Sequence, residues 1–107
     1  VRRGDIVTVA LQGDHGKLRP ALIVQADQLQ ASTHVAVLLL TSFQADAPLL
    51  RIAVPATPET GLLIASYVML DRITTAPRAK IGSVIGHLVD STLLAVTRAL
   101  AVVLGFA

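Results

Sequence analysis

Two short runs hold the side chains whose chemistry could be coupled. Gly16-Lys17-Leu18-Arg19-Pro20 sets two cations ahead of an apolar segment, and Thr41-Ser42 places two hydroxyls at the end of the most hydrophobic segment. Pro20 fixes its own φ and biases Arg19 towards an extended conformation. A guanidinium and a hydroxyl offer donors to phosphoryl oxygens, where they would stabilise charge developing in a transition state. Each has a plainer reading: Arg19 as half of a surface ion pair, and Thr41-Ser42 as a turn device. His15, four residues before Arg19, is the only nearby side chain of a type that titrates around neutrality. It is the candidate for moving a proton, against the alternative of an exposed loop histidine with no role.

Other chemistries are excluded by what the 107 residues lack. There is no cysteine, hence no thiolate nucleophile, disulfide framework or Cys-based zinc site. His15, His34 and His87 show no metal-ligand spacing, and Glu59 is the only glutamate. His34 and His87 read as structural. Gly13-Asp14-His15-Gly16-Lys17 leads into a strand rather than a helix, so the context of a phosphate-binding loop fails. No metal and no cofactor is called for.

The elements that must position these residues follow from pattern. The length predicts one domain over residues 1–107. Apolar runs at 6–11, 21–25, 34–40, about 50–54, 66–74 and 83–88 read as short strands. Residues 12–18 form a glycine-containing loop, and 27–33 a loop with a helical turn. Pro55, Pro58 and Gly61 mark a turn, and 77–80 a possible helical turn. One helix closes the chain, with Asp90 or Ser91 as N-cap and Gly105 at C′. Its polar stripe is narrow, and Phe106 after it is expected in the core. The fold class is mainly β with a C-terminal helix, in a small, strongly bent sheet or partly open barrel.

Only 15% of the residues are charged and 53% are hydrophobic, with a net charge of +2. So few polar groups cannot coat a small sphere, which predicts a homodimer. No stretch of ~20 apolar residues is present, so no membrane span is expected. With no cysteine and no signal-like start, a cytoplasmic location fits. Seven of the nine cations are arginine. That suits an anion-binding surface, although a G- and C-rich genome would produce the same bias. Lys17, Arg19, Arg72, Arg78 and Lys80 are the candidate contacts of such a surface.

Four blocks, in order, resemble the MazF/PemK toxin family. They are Arg3-Gly4-Asp5-Ile6-Val7, Gly16 to Val24, Leu39-Leu40-Thr41-Ser42, and Ile81 to Leu88 followed by the Leu-rich helix. The resemblance implies an SH3-like barrel with a C-terminal helix, acting as a homodimer. It further implies a metal-independent endoribonuclease that cleaves single-stranded RNA and is held by a cognate antitoxin with an acidic, disordered segment. The family's catalytic arginine and threonine carry over as Arg19 and Thr41. Lys17, Ser42, Tyr67, Arg72 and Arg78 are the expected substrate contacts, Tyr67 by stacking one base, against the plainer reading of a half-buried strand tyrosine. The chain departs from the family in a short loop before Arg19 and in Tyr67 and Arg72, where glutamine is frequent. The cleavage sequence therefore does not carry over. Two other readings stand on the same fold: a non-enzymatic poison of the gyrase-binding kind, and an inactive regulatory subunit.

Overall fold

The computed structural model describes residues 1–11, 17–43 and 50–107. Six strands form one antiparallel sheet: β1 (Asp5–Ala10), β2 (Leu18–Ile23), β3 (His34–Thr41), β4 (Arg51–Val54), β5 (Ser66–Pro77) and β6 (Ile81–His87). Their spatial order is β4-β5-β3-β2-β1-β6. Helix α1 (Asp90–Val103) follows. No helix among the described residues is long and apolar enough to cross a membrane.

The sheet bends rather than closes, because its ladders slip. Leu38 of β3 faces Ile73 of β5, yet Leu40 faces Val68, so β5 carries three extra residues between those rungs. The β1–β6 ladder slips as well, on either side of Val7. Extra residues on one strand increase its twist and bend it.

Strict alternation along β1, β2 and β3 splits the apolar side chains between two faces. Ile6, Leu22, Leu38, Leu40, Val68 and Leu70 face one side, where Val96 and Leu100 of α1 complete the core. Val7, Val9, Ala21, Ile23, Val37, Leu39 and Met69 face the other, where the curling sheet buries them against one another. Each of the Val, Leu, Ile and Met side chains among them contributes roughly 1.5–3 kcal/mol on burial. The segment after β4 is docked on β6 by a backbone bond from His87 N–H to the Glu59 carbonyl at 2.8 Å. Gly61 (φ +69°) and Gly86 allow this approach, since a Cβ on either would run into the backbone of Ile85 or of Glu59–Thr60.

Several expectations about the chain ends are corrected. The N-cap of α1 is Val89, with no side-chain cap; Asp90 lies in the first turn, where its charge complements the helix dipole. The C-terminus is as expected: Gly105 (φ +82°) donates to the Val102 carbonyl at 3.1 Å and Phe106 N–H to that of Ala101 at 2.7 Å. These two bonds form a Schellman motif. That reversal throws Phe106 outward, 83% exposed, rather than into the core. Strand β2 starts three residues earlier than expected, at Leu18, because the β1–β2 hairpin pairs as far as Ala10 with Leu18.

Candidate active site

Register brings the separated runs of the sequence together. Arg19 faces Val9 across β1–β2, and Thr41 faces Tyr67 across β3–β5. Ala21 faces Leu39 across β2–β3, and continuing that antiparallel register by two residues sets Arg19 opposite Thr41. The row therefore runs Arg19, Thr41, Tyr67 on β2, β3 and β5, and ends at Ala53, which faces Tyr67 from β4. All four share the face of Val9, Leu39 and Met69, the face without the helix. Adjacent strands lie ~4.8 Å apart, so the backbones under Arg19 and Tyr67 are about 10 Å from one another.

Local sequence explains why this row is open. Pro20 has no N–H to offer, and the β2–β3 ladder begins at the next residue, Ala21. Arg19 and Thr41 thus lie just beyond the last rung that ties their strands. Arg19 is exposed, while Thr41 and Tyr67 are half-buried. Thr41 does serve the turn that ends β3: its Oγ1 accepts the Phe43 N–H at 3.1 Å. Because that bond uses a lone pair, the hydroxyl hydrogen is still available for donation.

The other sequence candidates distribute unevenly. Lys17 and Ser42 are exposed and flank the row, one before β2 and one after β3. Arg72 is exposed in the slipped part of β5. Arg78 is not brought to this end. It follows Pro77, which faces His34 at the start of β3, about 23 Å from Thr41 along the eight-residue strand. Its guanidinium donates to the Ser32 carbonyl at 2.9 Å, Ser32 Oγ at 3.2 Å and the Leu29 carbonyl at 3.4 Å. It clamps the loop before β3. Lys80 is exposed at that same remote end. His15 lies outside the described residues.

The remaining histidines have structural partners. His87 Nδ1 meets Asp5 Oδ1 at 3.0 Å, while Asp5 Oδ2 accepts the Arg2 N–H at 2.8 Å. His34 Nδ1 meets Thr33 Oγ1 at 3.0 Å.

One cation on the face of this row had no signal in the sequence. Arg51 opens β4 and faces Met69, so it points to the same side as Tyr67. Its Nη1 pairs with Asp71 Oδ1 at 2.6 Å and donates to the Leu50 carbonyl at 2.9 Å. Its Nε is buried without a hydrogen-bond partner. An arginine at the head of a four-residue strand reads as ordinary surface charge; only the register reveals its neighbours.

A bent, open antiparallel sheet backed by one helix is the architecture of solved bacterial toxins. Mycobacterium tuberculosis toxin MazF-mt6 superposes with a TM-score of 0.80 at 26% identity, over 94% of this chain and 96% of that one. An "Endoribonuclease in complex with its cognate antitoxin from Mycobacterial species" gives 0.82 at 25% identity, over 100% and 97%. In sequence, the "Probable endoribonuclease MazF" of Mycolicibacterium smegmatis is 44% identical over 100% of this chain and 99% of its own length. Residues 2–104 match the family model of the PemK-like, MazF-like toxin of type II toxin-antitoxin systems. The chain belongs to that family.

Proposed function

We propose that this protein is the toxin of a type II toxin–antitoxin pair and acts as a metal-independent endoribonuclease on single-stranded RNA. The observation that carries the reading is the register of Arg19 with Thr41 on the face of the sheet opposite the helix. The full-length likeness to a MazF named as an endoribonuclease supports the activity. In the reaction the substrate's own 2′-oxygen attacks the adjacent phosphorus. The new O–P bond forms as the bond to the 5′-oxygen breaks, the 2′ proton leaves to a base and the 5′-oxygen takes up a proton. The products are a 2′,3′-cyclic phosphate and a 5′-hydroxyl. Charge builds on the non-bridging oxygens, and the guanidinium of Arg19 with the hydroxyl of Thr41 stabilises it there. Lys17 and Ser42 extend the same donor set along the RNA.

The antitoxin brings an acidic segment, disordered when free, that covers these cations, so its binding weakens with salt. The toxin is a homodimer. Leu94 and Val102 on α1 and Leu104 and Phe106 just after it are 49%, 66%, 48% and 83% exposed, which supports a buried partner face.

The deciding experiment is incubation with single-stranded RNAs of varied sequence in EDTA, with analysis of product ends. Cleavage to 2′,3′-cyclic phosphate, or its 3′-phosphate hydrolysis product, is expected. RNA left intact across all sequences would overturn the activity.

A further inference from the structure

The active face continues past Thr41 to two side chains on β5 and β4. Tyr67 is half-buried, and its hydroxyl makes no hydrogen bond among the described residues. Its neighbour across β4–β5 is Ala53, which is exposed and offers only a methyl group. Among the described residues the ring therefore has no bulky cross-strand companion on that side. Arg51 is the diagonal neighbour of Tyr67, about 7–8 Å away in such a ladder.

The state of Arg51 points to a ligand. Asp71 and the Leu50 carbonyl engage Nη1 alone. Nη2 has no partner among the described residues and can donate to a phosphate oxygen, while the buried Nε behind it is likewise unsatisfied. Orphaned buried donors are rare in native proteins. Asp71, with its side chain 39% exposed, holds the guanidinium in place by a single nitrogen.

We infer that Tyr67 and Arg51 form a nucleotide subsite beside the scissile phosphate, Tyr67 stacking one base and Arg51 taking the next phosphate along the RNA. The subsite rests on the ribonuclease reading above. Stacking on an aromatic ring tolerates any base but favours those that stack best, so the subsite biases which sequences are cut.

Tyr67 is the only tyrosine and there is no tryptophan, so the protein's intrinsic fluorescence reports this ring alone. Titration with a short 2′-O-methyl single-stranded oligonucleotide of mixed sequence, which lacks the attacking hydroxyl, should quench it. Tyr67→Ala should raise KM for a cleavable RNA by about 5- to 150-fold with kcat within about threefold of wild type, and Tyr67→Phe should restore KM. Arg51→Gln should lower the slope of log affinity against log salt by about 0.7, the loss of one phosphate contact. Should Arg51→Gln fail to fold by circular dichroism, Arg51→Lys substitutes: it keeps the slope but binds more weakly, having lost the fork. Unchanged fluorescence at saturation, a folded Tyr67→Ala with KM within twofold, or an affinity and salt slope insensitive to Arg51 would each overturn the subsite. Wild-type protein that cleaves normally while any of these holds overturns the subsite alone; wild-type protein that cleaves nothing overturns the ribonuclease reading with it.

Discussion

The Thr41 hydroxyl oxygen accepts the backbone N–H of Phe43, two residues further on, at 3.1 Å. This one bond makes the turn role compatible with the donor role proposed for Thr41. It fixes the side chain with a lone pair and leaves the O–H to point elsewhere.

Thr41→Ser keeps both features and should retain most cleavage activity. Thr41→Ala loses both and should fall about 100- to 1,000-fold in single-turnover rate, the usual effect of removing one preorganised donor. Equal inactivity of the serine and alanine variants would assign Thr41 to packing.

Arg19→Ala should lose about 100- to 1,000-fold in rate with little change in melting temperature, because Arg19 is exposed at a strand end. Arg19→Lys should recover only part, since the planar fork is replaced by a point charge. Cleavage by the alanine variant within about threefold of wild type would remove Arg19 from the mechanism.

Arg78→Ala should register in stability. Its guanidinium serves Ser32 and Leu29 across 46 and 49 residues of sequence, tying the loop before β3 to the end of β5. Loss of these bonds should cost about 1–3 kcal/mol, seen as a lower midpoint in urea. A KM effect with an unchanged midpoint would return Arg78 to the substrate contacts.

Val102→Asp places a charge on the exposed side of α1 without touching Val96 or Leu100, which hold the helix to the core. It should convert a dimer at micromolar concentration into a folded monomer, read by sedimentation velocity. A wild-type protein that sediments as a monomer would show that this face has another use.

Much of the fold was legible because its signals are local. Alternation marked β1, continuous apolarity marked β3, and the reversal at Gly105 was visible in the glycine itself. What stayed hidden depends on pairing. Nothing in the chain announces that β5 carries three extra residues opposite two rungs of β3, and that slip decides which of its side chains face Thr41. Arg78 looked like a phosphate contact because its partners, Leu29 and Ser32, are distant in sequence. Arg51 was overlooked for the same reason in reverse: its neighbours Met69 and Tyr67 lie on another strand. Arg19 and Thr41 stood out through their motifs, and the register then supplied a reason for them to act together.

The slipped register of β5 also has an evolutionary consequence. Ser66 to Met69 pair with β4 and with the end of β3 at the Thr41 row, whereas Ile73 to Pro77 pair with the first half of β3 beside the Arg78 clamp. The irregular stretch between them acts as a joint: changes in the shape or size of residues on one half need not be transmitted as a shift of the other. If Tyr67 stacks a base as proposed, substitutions there can alter which RNA sequences are cut while the scaffold half keeps its pairing and its fold.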